Sequence, residues 1–139
     1  MTRKIRIFKG IRVLVVDDND DTREIVCTYL ENGGAVVTCA ESAAEAMILS
    51  MTAEHPYDVL ISDLGMPNRD GLWLVQQLKH KARAEERPLW AIALTAHAFD
   101  NVREAAMEAG FDVYLTKPFE FEDLANAVIV RHVEVLALA

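Results

Sequence analysis

Residues 13 to 21 read VLVVDDNDD: an apolar run, Val13-Leu14-Val15-Val16, followed at once by the four carboxylates of Asp17, Asp18, Asp20 and Asp21. A short apolar run without alternation is how a strand covered on both faces reads, so the run predicts the interior of a sheet and the aspartates its edge. Two unit charges about 4 Å apart repel by roughly 4 kcal/mol at an effective dielectric near 20, so carboxylates crowded at a strand end need something to offset them. What offsets them depends on what the rest of the chain brings to the same place.

Outward from this stretch, short apolar runs alternate with segments of helical period. Strands are predicted over residues 12–17, 35–40, 57–62, 89–94 and 112–115. The first helix spans about residues 20–32 and stops at Gly33-Gly34, and the second opens on the capping box Ser42-Ala43-Ala44-Glu45. A third covers about residues 71–84. A fourth, about residues 100–109, carries Val102, Ala105, Ala106 and Ala109 on one face and ends at Gly110, and the last runs from near Glu120 to the C-terminus. Five strands alternating with five helices imply right-handed crossovers and an α/β fold, a parallel sheet with helices on both faces; the arrangement expected for it is the flavodoxin-like doubly wound order 2-1-3-4-5. In that order strands 1 and 3 are neighbours, and ligands bind where their carboxyl ends diverge.

Three carboxylates, Asp17, Asp18 and Asp63, then converge on one crevice. Strand 4 ends in ALTAHA and places Thr95 there, while strand 5 ends in YLTKPF and places Lys117 there. A hard divalent cation resolves the repulsion, and Mg²⁺ prefers a few carboxylates plus water and phosphate oxygens over a full protein cage. The acid cluster thus reads as half of a Mg²⁺ site, its remainder left for a phosphoryl group. Phosphoryl transfer asks for little beyond a nucleophile, a metal and positive groups around the equatorial oxygens. The blander reading, aspartates that only favour a helix N-terminus, suits Asp20 and Asp21. It fails for Asp17 and Asp18, because Asp63, Thr95 and Lys117 each end another strand on the same side.

The 139 residues have the length of one domain, and 52% hydrophobic content describes a globular chain. A formal charge of −8 argues against a nucleic-acid partner. Cys27 and Cys39 form no CxxC pair, so they signal neither a disulfide framework nor a zinc site and read as small core residues in a reducing cytosol. The opening MTRKIRIFKG is basic but lacks the apolar stretch of a secretory signal, and no run reaches the roughly 18 apolar residues of a membrane span. The expectation is a cytoplasmic protein with no membrane contact.

Together, VLVVDDN, DVLISDLGMPNRDG, ALTAHA and AGFDVYLTKPF resemble the receiver domain of two-component response regulators over about residues 11–136. FKGIRVLVVDDN with ALTAHA is similar to the receivers within hybrid sensor kinases. The resemblance implies that Asp63 is the phospho-acceptor, Asp18 a direct Mg²⁺ ligand, Asp17 a partner acting through bound water, and Gly65 the donor of a backbone carbonyl. It further implies that Thr95 and Lys117 contact the phosphoryl oxygens, that Tyr114 is an aromatic switch, and that the Lys117-Pro118 bond is cis. The implied partner is a histidine kinase or histidine phosphotransfer protein. The implied output is a change in the surface of helix 4, strand 5 and helix 5, which also allows a homodimer. Such a domain is a self-phosphorylating switch rather than a turnover enzyme. Residues 1–10 form a basic N-terminal extension or linker ahead of a receiver spanning 11–139; a linker, an added length of strand 1 and a disordered tail all remain open for residues 3–9.

A rival from another class is a haloacid-dehalogenase-like phosphatase, because Asp18-Asn19-Asp20-Asp21-Thr22 fits its DxDxT pattern with Asp18 as nucleophile and Asp20 as general acid. It leaves Asp63 without a role. A flavin or nucleotide binder on the same fold is disfavoured by the acidic crevice and the missing glycine-rich loop. Two apolar features stand apart from the site: Trp73, one position off the Leu74-Val75-Leu78 face, and the last helix, whose Leu124, Val128, Ile129, Val130, Val133, Val135 and Leu136 make a stripe wider than one buried face requires.

Overall fold

The computed structural model describes residues 6–66, 71–97 and 99–138, with side chains through Arg131. Outside these lie the end of the DVLISDLGMPNRDG stretch (Pro67, Asn68, Arg69, Asp70), Ala98 of ALTAHA, the first five residues and the side chains of Val133, Val135 and Leu136.

The chain alternates β1 (Arg12–Val16), α1 (Asp20–Asn32), β2 (Val36–Ala40), α2 (Ala43–Thr52), β3 (Val59–Asp63), α3 (Gly71–Ala84), β4 (Trp90–Thr95), α4 (Asp100–Ala109), β5 (Val113–Thr116) and α5 (Phe121–Leu138). All strand pairs are parallel, in the order β2-β1-β3-β4-β5. The predicted elements and their order are therefore those found. Strand ends differ by a residue or two: β3 begins at Val59 and runs through Asp63 itself, so the carboxylate stands on the last strand residue rather than beyond it.

The apolar run opens the fold because Val13, Leu14, Val15 and Val16 are all fully buried. Leu14 and Val16 face a core with Ala46 of α2, Leu74 and Val75 of α3 and Ala106 of α4. Val13 and Val15 face a second core with Val26 and Leu30 of α1 and Leu124 and Val128 of α5. Helices thus cover both faces, and the polar strand ends are left at the rim. Helix punctuation follows the sequence: the Asn19 side chain accepts the Thr22 amide at the start of α1, and the Ser42 side chain accepts the Glu45 amide at the start of α2. Trp73 is half-buried and packs on the first core. On α5 the described part of the stripe divides, with Leu124 and Val128 buried while Ile129 and Val130 are exposed.

Residues 6–10 fold back on the sheet. The Phe8 amide donates to the Gly33 carbonyl at 2.8 Å and the Gly10 amide to the Gly34 carbonyl at 3.2 Å. The Phe8 ring, 1% exposed, joins the second core edge-on to Tyr29. Position 33 must be glycine here, since a Cβ would stand 2.3 Å from the Phe8 ring.

One expectation is corrected. Cys27 and Cys39, read from the sequence as unlinked thiols, are joined as a disulfide between α1 and β2, their Cα atoms 6.9 Å apart. The 12-residue separation carries no pattern that announces the pair; only the packing of α1 on β2 brings the two together.

Candidate phospho-acceptor site

The carboxyl ends of β1 and β3 are adjacent because Val16 of β1 pairs with Ser62 of β3. Each strand then delivers its aspartate to the same rim. Asp17 is buried, Asp18 exposed and Asp63 buried, and one carboxylate oxygen from each lies within 4.8 Å of the others.

Asp17 is held from several sides. Its amide donates to the Ala40 carbonyl of β2, its Oδ1 accepts the Asn19 amide at 2.9 Å, and its Oδ2 accepts Lys117 Nζ at 3.0 Å. Arg23 on α1 donates to the Asp17 carbonyl at 2.8 Å and also pairs with Asp20. The sequence marks Arg23 only by its spacing, three residues from Asp20 on a helix and so at ion-pairing distance.

Lys117 is placed by backbone as well as by charge. Its amide donates to the Thr95 carbonyl at 2.7 Å, tying the end of β5 to β4, and the Lys117-Pro118 bond is cis as expected. The ammonium lies 3.6 Å from Asp63 Oδ1, so it bridges Asp17 and Asp63. Burial raises the Asp63 pKa above the ordinary carboxylate range; Lys117 opposes this, Asp17 adds to it, the Gly65 amide opposes it and Asp18 adds to it. That amide donates to Asp63 Oδ1 at 3.4 Å.

Thr95 is buried at the end of β4, where its hydroxyl accepts the His97 amide at 3.1 Å. Tyr114 on β5 is half-buried, and its hydroxyl donates to the His97 carbonyl. The structure therefore brings Asp17, Asp18, Asp63 and Lys117 together. Thr95 ends β4, the strand paired with that of Asp63, and is linked through His97 to Tyr114 on β5.

The donor chemistry fits a hard divalent cation. Three carboxylate oxygens converge, no soft ligand is among them, and one ammonium offsets only part of their charge. Asp20, by contrast, is 80% exposed at its side chain and paired with Arg23, away from the carboxylate trio. The phosphatase reading needs Asp20 as general acid beside Asp18, so the structure does not support it.

Comparison with known proteins agrees with this geometry. The family model of the response regulator receiver domain matches residues 13–129. An uncharacterized 14.6 kDa protein of the sodA1 3′ region in Leptolyngbya boryana is 43% identical over 116 residues, covering 84% of this chain and 86% of that protein. Sensor histidine kinase GacS of Pseudomonas protegens is 35% identical over 119 residues, which make up 85% of this chain and 13% of GacS. The crystal structure of the receiver domain of the Arabidopsis thaliana histidine kinase CKI1, complexed with Mg²⁺ and BeF3⁻, superposes with a TM-score of 0.80 at 25% identity and covers 92% of this chain and 93% of that one. A doubly wound sheet whose strand ends gather three aspartates and a lysine, matched by the family model over most of its length, places this chain in the response regulator receiver domain family, the phospho-accepting domains of two-component phosphorelays.

Proposed function

We propose that Asp63 accepts the phosphoryl group, from a phosphohistidine on a histidine kinase or a histidine phosphotransfer protein. The observation that carries this assignment is the position of Asp63, with Lys117 Nζ 3.6 Å from its Oδ1 and the carboxylates of Asp17 and Asp18 alongside. An Asp63 oxygen attacks phosphorus, the phosphorus–nitrogen bond of the donor breaks, and the imidazole leaves with the electron pair. Lys117 meets the charge on the transferring oxygens, and Thr95 follows when its hydroxyl turns from the His97 amide toward them. Asp18 would ligate Mg²⁺ directly, Asp17 through water and Gly65 through its carbonyl, with Asp63 completing the set. Bound there, Mg²⁺ would supply the positive charge that lets a phosphoryl dianion approach a carboxylate.

In this reading the chain acts once per phosphoryl group, as a switch rather than a turnover enzyme, and it works in the cytoplasm where kinases hold ATP. A groove of about 350 Å³ between α1 and α5, with Ile25 and Phe121 exposed along it, suits a helical donor. The α4–β5–α5 side, where Phe99, Met107 and Val130 are exposed, is assigned to the downstream partner or to a second copy in a homodimer. No direct contact with nucleic acid or membrane is proposed; among the described residues no helix is long and apolar enough to cross a membrane.

The test is treatment with a small phosphodonor and Mg²⁺ followed by mass spectrometry of the labelled peptide. An acid-stable, alkali-labile phosphoryl group on Asp63, lost in Asp63→Asn, is expected. Label on Asp18, persisting in Asp63→Asn, would reject the assignment.

A further inference from the structure

The feature that the phospho-acceptor site leaves unused is the pair formed by the chain's two cysteines. Cys27 lies in α1 within the second core, beside Val26 and Leu30, and is 6% exposed. Cys39 lies on β2, in register with Val15 of β1, and is exposed. β2 is an edge strand, bonded on one side only, and of the two cysteines Cys39 is the exposed residue and Cys27 the buried one.

We propose that Cys27 and Cys39 form a reversible thiol–disulfide site that responds to low-molecular-weight thiols and disulfides, entered at Cys39 and closed by Cys27. The Cys39 thiolate attacks one sulfur of a small disulfide RSSR; that S–S bond breaks, one thiolate leaves and takes up a proton, and Cys39 carries the mixed disulfide. Cys27, deprotonated, attacks the Cys39 sulfur and expels the second thiolate. In sum two protein thiols are oxidised to one disulfide and RSSR is reduced to two RSH, and an excess of RSH reverses both steps. Exposure governs which cysteine a small reagent reaches, so the reagent enters at Cys39, and Cys27 acts only on the Cys39 sulfur packed beside it.

The link ties α1 to the edge of the sheet. Arg23, one helical turn ahead of Cys27, holds the carbonyl of Asp17, so the tethered helix is the one that braces the acidic end of β1. Opening the link frees β2, whose ladder to β1 runs from Arg12–Val36 to Val16–Ala40, to fluctuate away from the sheet. The proposal is independent of the role assigned to Asp63, and either can fail without the other.

The experiment equilibrates the full chain in glutathione buffers of graded thiol-to-disulfide ratio, quenches with acid, denatures, alkylates and weighs the product. The expected result is a switch between doubly alkylated and unalkylated protein as the ratio changes. In oxidising buffer Cys27→Ser should accumulate a glutathione adduct on Cys39, which no longer has a resolving partner, whereas Cys39→Ser should stay unmodified at the buried Cys27. Amide exchange over residues 36–40 should be several-fold faster in the reduced protein. Wild-type protein that remains doubly alkylated in every buffer, or a Cys39→Ser variant that takes up glutathione as fast as Cys27→Ser, would overturn the proposal. Equal exchange rates in the two forms would remove its claim on the edge strand.

Discussion

At the scale of single residues, Asp63 is caught between burial and its neighbours. Burial makes its ionised form unfavourable, Asp17 and Asp18 add to this, and Lys117 with the Gly65 amide offsets only part. In the unfolded chain Asp63 ionises in the ordinary carboxylate range, whereas the folded protein holds that proton to higher pH. Between the two values the folded state binds more protons, so stability falls as pH rises through this window and the full penalty is present above it. Asp63→Asn removes the penalty. In chelator at neutral pH the variant should therefore unfold at a higher temperature than the parent, and the gap should close as the pH drops below the carboxylate range. Melting curves across pH decide it; a variant less stable than the parent at neutral pH would contradict the account. The residues legible in the sequence were those that end strands, Asp17, Asp18, Asp63, Thr95 and Lys117, because a parallel sheet brings all its strand ends to one rim. Arg23 and the Cys27–Cys39 pair were not legible: what they do depends on how α1 lies against the sheet, which neither residue type nor spacing encodes.

At the scale of elements, β4 and β5 are joined beyond their ladder through one backbone residue. His97 gives its amide to the Thr95 hydroxyl and takes the Tyr114 hydroxyl on its carbonyl. If Thr95 rotates toward a phosphoryl group on Asp63, His97 loses the acceptor of its amide, and the same peptide segment loosens its hold on Tyr114. A ligand shifts an equilibrium only through unequal contacts in its two states, and in the proposed switch the Thr95 hydroxyl would supply that inequality. Thr95→Ala should still accept phosphate but lose most of the chemical-shift change around Tyr114 on phosphorylation. Retention of the full change would remove Thr95 from the switch. Element order was legible because the alternation of apolar runs and capped periodic segments repeats along the chain; element ends were less so, since β3 extends through a charged residue, Asp63, that an apolar pattern would exclude.

At the scale of the whole molecule, two features set stability from opposite poles. At the carboxyl ends of the strands, Mg²⁺ binding to the folded state alone would add about 2.7 kcal/mol at 100 times its dissociation constant. Melting temperature should rise with Mg²⁺ and fall back with chelator; superimposable curves would speak against a cation site. At the amino ends, Phe8 fills the space that Gly33 leaves and belongs to the core rather than to a tail. Phe8→Ala should destabilise the fold by about 3 kcal/mol, read from the denaturant midpoint. A change within a few tenths would mean that the segment is dispensable. The role of this segment escaped the sequence because a lone phenylalanine among basic residues has no period to place it. Its location has a practical side: β1 spans five residues, about 17 Å at strand rise, between the Phe8 seat and Asp17. A fluorophore or affinity handle coupled at the exposed Lys9, next to Phe8, would sit at the pole remote from the carboxylates, so surface immobilisation there should leave phosphodonor binding unhindered.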